Sequence, residues 1–126
     1  MKRVWIAVGL LLTILAGTLT HSFYIASFTR DLSLLLEAAE TEAEQGAWDK
    51  AEELTQTAHK KWDERSTYLH ITLRHTETDE VYTGFREVAE FIQCRETGEY
   101  SAANARLIAK LELLTEAEQL TLKNVL

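Results

Sequence analysis

Over most of this chain apolar residues recur every three or four positions, in four stripes that each mark one helix face. The first stripe is Ile25, Phe28, Leu32, Leu35, Ala39 and Ala43. The second is Trp48, Ala51, Thr55, Ala58, Trp62, Leu69 and Leu73, with polar residues in the slots near Arg65 and Ser66. Val81, Phe85, Val88, Ala89 and Ile92 form the third, and Tyr100, Ala103, Leu107, Leu111, Leu114, Leu122 and Val125 the fourth. Such stripes are the seams of an antiparallel bundle, so the spacing predicts an all-α fold of about four helices, arranged as two hairpins. Ahead of them, Val4 to Leu19 carries no charge.

That uncharged run is close to the lower limit for crossing a bilayer as a helix, and it lengthens if the helix continues through His21 to Ala26. Trp5 lies at one end and Phe23 and Tyr24 at the other, where aromatic rings favour the headgroup layer. Val4, Trp5, Leu10, Leu11, Leu12 and Leu15 are the anchoring residues of this reading. Lys2 and Arg3 precede the run, whereas the first charges after it, Arg30 and Asp31, cancel; this orients the N-terminus to the cytoplasm. A cleaved secretory signal has the same basic start and apolar centre. However, Leu15-Ala16-Gly17 and Thr18-Leu19-Thr20 match a cleavage site poorly, and Thr18 stands where a lipoprotein signal needs Cys. The expected organisation is a membrane anchor over residues 1–20 and an extracytoplasmic bundle over 21–126.

Joints are few. There is no Pro, and only Gly46, Gly84 and Gly98 follow the uncharged run. Gln45-Gly46 reads as a left-handed cap ending the first helix. Gly46, Trp48 and Ala51 share the pattern Gly-x-aromatic-x-x-Ala with Gly98, Tyr100 and Ala103, which predicts two tight helical turns resembling those of tetratricopeptide repeats. With Trp62 and Phe85, these residues make up the expected turns and core. The joint between the second and third helices has two candidates: Asp63 to Ser66 with Ser66 as N-cap, or His75 to Asp79 with Thr76 or Thr78 as cap. Length favours the second, giving helices of roughly 25, 27, 20 and 27 residues that pair along most of their lengths.

Charge narrows the function. From Arg30 onward there are 11 Lys and Arg against all 20 Asp and Glu, a net −9. A surface of that sign repels nucleic acid and does not lie flat on anionic lipid. Glu37, Glu40, Glu42 and Glu44 read as a solvated face.

Candidate chemistry is sparse. His75 and Asp79 are four apart, with Glu77 and Glu80 near, so a mixed His/carboxylate metal site can be drawn there, with His75, Asp79 and Glu80 as its ligands. The ligand spacings of structural zinc sites are missing, and capping and solvation explain the same residues, so no metal and no cofactor are expected. No Ser has a nucleophile-elbow context and no glycine-rich phosphate loop occurs, which argues against an enzyme. Cys94, the lone cysteine, reads as packing among apolar neighbours.

The order of these features resembles an uncharacterised bacterial family, number 4363 among domains of unknown function, found mainly in endospore-forming Firmicutes. The likeness rests on the basic start, the apolar helix, Trp62 ahead of His75-x-Glu77-x-Asp79, and the tail Leu122 to Leu126. That family usually has an aliphatic residue between the Glu and the Asp, where this chain has Thr78. The resemblance implies a small membrane-anchored helical protein linked to the spore envelope.

Two functions fit. One is a non-enzymatic scaffold at the outer face of the membrane, whose partner is another membrane or envelope protein or a second copy of itself. The other is a ligand or metal sensor using the polar joint. A sensor needs a cytoplasmic output, and three residues precede the apolar run, so the scaffold is the expectation.

Overall fold

The computed structural model describes residues 1–72 and 75–125, with the side chains of His70, Thr72, His75 and residues 121–125 outside that description. Among the described residues there are five elements, all helices: α1 (Lys2–Glu44), α2 (Trp48–Glu64), α3 (Ser66–Thr72), α4 (His75–Cys94) and α5 (Thr97–Val125). α1 runs unbroken for 43 residues, from the uncharged stretch into the bundle. It packs against α2 and α5, and α5 packs in turn against α4. Along the uncharged stretch Val4, Trp5, Leu10, Leu11 and Leu12 are exposed and Leu15 half-buried; burial begins at Ile25.

The packed seams follow a stricter rule than an apolar face requires. Buried positions on α1 are 25, 29, 32, 36, 39 and 43; on α2 they are 51, 55, 58 and 62. On α4 they include Thr78, Val81, Phe85, Val88 and Ile92, and on α5 Tyr100, Asn104, Leu107, Leu111 and Leu114. Apart from Gly84 and Ala103, which widen the α4 and α5 seams by one residue each, alternating steps of three and four give a 3.5-residue repeat, the period of left-handed knobs-into-holes packing. Each of the four long seams carries one polar residue: Thr29, Thr55, Thr78 and Asn104. Thr29 solves its burial by bonding back to the Ile25 carbonyl at 3.0 Å and across to the Thr115 hydroxyl at 2.7 Å.

Several expectations change. The second stripe is not one helix reaching residue 75, since α2 ends at Glu64 and α3 is a separate helix of about two turns. Arg65 caps both, its N–H bonding to the Trp62 carbonyl at 3.1 Å while its own carbonyl accepts from Leu69 at 2.9 Å. Ser66 is not an N-cap: its hydroxyl looks back to the Asp63 carbonyl at 2.7 Å. Thr76 and Thr78 lie inside α4 and not ahead of it, and Thr78 is a buried seam residue. Leu73 falls outside the described residues, as do the side chains of Leu122 and Val125. Ala89 is exposed, one position off the α4 seam, and so is Cys94, at the last residue of α4.

The two tight turns are alike, but not in the register of the sequence pattern. At the first, Ala47 N–H reaches the Glu42 carbonyl and Gly46 stands at φ 80°. At the second, Glu96 N–H reaches the Phe91 carbonyl and the left-handed residue is Arg95, at φ 54°. Both are the six-to-one closure of a helix C-terminus. Gly98 therefore plays no part in the turn; it lies in the first turn of α5. The structural equivalent of Ala51 is Tyr100, because each donates the first helical N–H of its element, to Ala47 and Glu96 respectively.

Candidate functional site

At the end of the bundle nearest the uncharged stretch, α3 stands away from α1 and leaves an open groove of about 880 Å³. Its walls are Gly17, Thr20, His21 and Tyr24 from α1, and Glu64, Arg65, Thr67, Tyr68 and Ile71 from the α2–α3 joint. The break at Arg65 makes it, because it lets α3 follow α1 past the end of the packed core. Above the groove Phe28 and Trp62 stack at 6.3 Å, and Tyr24 meets Tyr68 edge-on at 5.6 Å. Within it His21 Nδ1 and the Tyr68 hydroxyl share a hydrogen bond of 2.5 Å, and His21 Nε2 lies 3.4 Å from Glu118 Oε2 on α5. The Tyr68 hydroxyl is held protonated to higher pH than usual by burial, helped by Tyr24 and Glu118. The groove thus combines an apolar wall with a row of polar donors, the usual make-up of a small-molecule site.

A second polar group lies within the bundle. Asn104, fully buried, donates to the Leu36 carbonyl at 3.0 Å and to Glu40 Oε2 at 3.2 Å, and Ser101 donates to Glu40 Oε1. Glu40 therefore belongs to the α1–α5 contact and not to the solvated face expected for it. Next to it the Tyr100 hydroxyl is buried, and its approach to the Thr55 hydroxyl falls short of hydrogen-bonding geometry. Burial, with Glu40 and Glu44 close, pushes the Tyr100 phenol up to about 12. The signal in the sequence was an Asn in a run of three-and-four steps, a device that fixes helix register.

The residues singled out from sequence divide between packing and surface. Ala51, Trp62, Phe85, Tyr100 and Ala103 are buried, and Trp48 packs half-buried against them. Asp79 and Glu80 are exposed. Glu77 and Glu80 flank a hollow of about 300 Å³ with Lys110, which Asp79 does not line. The side chain of His75 falls outside the described residues, and among those described no three His, Cys, Asp or Glu gather as metal ligands.

The model of the family described as Domain of unknown function (DUF4363) matches residues 19–125. The chain belongs to this family. No curated protein and no solved structure matches it. The DUF4363 region starts at Leu19, where the uncharged run ends, and takes in every packed helix. Thr78, in the middle of the motif read from the sequence, occupies a buried seam position of α4.

Proposed function

We propose that this DUF4363 protein is a single-pass membrane-anchored helical scaffold, N-terminus in the cytoplasm and bundle outside it, acting through protein–protein contacts. The observation that carries the reading is the contrast along α1: an apolar 18-residue window with none of it buried, followed without a break by a helix buried at every seam position. So much exposed aliphatic surface needs an apolar medium, and a bilayer supplies one to a helix of this length. The hydroxyls of Thr13, Thr18 and Thr20 bond back to the carbonyls four residues earlier, so they enter lipid without an unmet donor. The acidic bundle favours a partner presenting basic groups, and disfavours collapse onto anionic headgroups.

Topology is tested by a C-terminal alkaline phosphatase fusion, expected to be active where a reporter confined to the cytoplasm is silent. The reverse pattern defeats the orientation. Crosslinking in native membranes followed by pulldown of the full chain is expected to recover one stoichiometric protein partner or a second copy. Recovery of the chain alone, uncrosslinked, defeats the scaffold role.

A further inference from the structure

The groove between α1 and α3 carries charged residues at one lip and none at the other. Glu64 and Arg65 stand at one lip, and Tyr24, His21 and Tyr68 form the middle. Going down from the Phe28–Trp62 stack, α2 and α3 keep pace with α1 through the Tyr24–Tyr68 pair. One further helical turn sets Ile71 opposite Gly17 and Thr20, which close the other end. Ile71 is 79 % exposed, although its helix is otherwise held to the bundle by buried Leu69. A Cβ at Gly17 would meet nothing within 4 Å, so open space continues past the groove onto the uncharged face of α1.

Membrane thickness places this groove. A hydrocarbon layer of about 30 Å takes about 20 helical residues at 1.5 Å each. Counted from Val4, that reaches Phe23, itself 77 % exposed. Gly17 and Thr20 then lie below the hydrocarbon boundary, His21 and Tyr24 at it, and Arg65 above it among the headgroups. Among the described residues neither the Arg65 nor the Glu64 side chain enters an ion pair. An adjacent, exposed cation and anion match a headgroup carrying both a phosphate and an ammonium, whereas a purely anionic headgroup would meet a bundle of net −9.

We propose that the groove seats one zwitterionic phospholipid of the leaflet it opens into, with the acyl chain along Gly17 and Ile71, the phosphate at Arg65 and the ammonium at Glu64. The proposal rests on the membrane-anchor reading. It gives α3 a role that packing alone does not: the short helix closes a lipid site against the anchor, and the bound lipid fastens the bundle's base to the leaflet.

The test uses the full chain in two stages. Flotation from phosphatidylethanolamine and phosphatidylglycerol vesicles after an alkaline wash checks the anchor. Native mass spectrometry from micelles, with phosphatidylethanolamine, phosphatidylglycerol and diacylglycerol in equal amounts, then checks the groove. One phosphatidylethanolamine per chain is expected, retained about tenfold over either competitor, a preference of about 1.4 kcal/mol. Gly17→Leu should abolish retention, and the exposed pair Glu64→Gln with Arg65→Gln should remove the preference while circular dichroism stays helical. If Gly17→Leu does not fold, the surface pair decides. Equal retention of the three lipids, no retention, or a lipid-free dimer overturns the proposal. A chain that floats but retains nothing sinks the groove alone, and one that does not float sinks the anchor as well.

Discussion

The indole of Trp48 meets the ring of Tyr100 nearly edge-on, 5.6 Å between centroids and 72° between planes. Trp48 opens α2 and Tyr100 closes the first turn of α5, so this contact ties the two left-handed turns together at the end of the bundle remote from the groove. Edge-to-face pairs of this kind add about 0.5–1.5 kcal/mol beyond the area they bury. Tyr100 is held here by its ring, and its hydroxyl contributes only an unmet polar group.

Alkaline stability should report that hydroxyl. The phenol is raised from 10 to about 12 in the fold, so its neutral form is the one folding favours. The associated stability is intact below pH 10 and disappears as pH climbs through 12; its size is on the order of 2 kcal/mol. Tyr100→Phe is expected to raise stability at pH 7 by about 1–3 kcal/mol, because the buried hydroxyl it removes has no hydrogen-bond partner to lose. It should also flatten the decline between pH 10 and 12. Parallel alkaline limbs for the two proteins in denaturant melts would count against a buried phenol.

The turn glycines separate structural register from sequence register. Gly46→Ala should destabilise by about 1–2 kcal/mol, the cost of a Cβ in the left-handed region. Gly98→Ala, inside a helix with nothing within 4 Å of the new methyl, should stabilise by about 0.5–1 kcal/mol. Arg95→Gly should stabilise by about 1 kcal/mol, because Arg95 holds the left-handed position. Thermal melts of the three variants check the set, and equal losses at Gly46 and Gly98 would restore the simple repeat.

Asn104→Ala removes the donor that holds Glu40 and the Leu36 carbonyl. A hydrogen bond to a charged group contributes about 1.5–3 kcal/mol, and a loss in that range is expected in urea titrations. A change below about 0.5 kcal/mol would return Glu40 to the solvated surface.

Trp62→Ala should cost about 3–5 kcal/mol, since the ring is buried and stacked on Phe28. Glu42→Ala, on the flank of α1, should change stability by no more than about 0.5 kcal/mol. Similar losses for both would remove Trp62 from the core.

The helix seams were readable because burial imposes a period that no other force does. The Arg65 break was legible only as the less favoured of two joints: at φ −100° and ψ 0° a non-glycine residue turns the chain, so no Gly or Pro had to mark it, and length argued for the other joint. Arg95 was hidden for the opposite reason: it stands at φ 54°, which costs a non-glycine residue about 1–2 kcal/mol, so its type argued against a turn there. Glu40 looked solvated because its neighbours Glu37 and Glu44 are, and only the position of α5 reveals its partner. The groove joins residues 17–24 to 64–71, and no local pattern links them. Cys94 was misplaced by counting two positions from Ile92, which on a helix is the opposite face.

If α1 anchors the bundle in a bilayer as proposed, its unbroken course has a mechanical consequence. With no swivel between anchor and bundle, the helix works as a lever whose fulcrum is the headgroup layer. The stretch from Ile25 to Glu44 rises about 30 Å at 1.5 Å per residue. A tilt of about 20°, ordinary for a spanning helix, carries its far end roughly 10 Å sideways. Under the proposed anchoring, local membrane thickness would set where the Trp48–Tyr100 end points, and a partner gripping that end would feel the bilayer through a rigid rod.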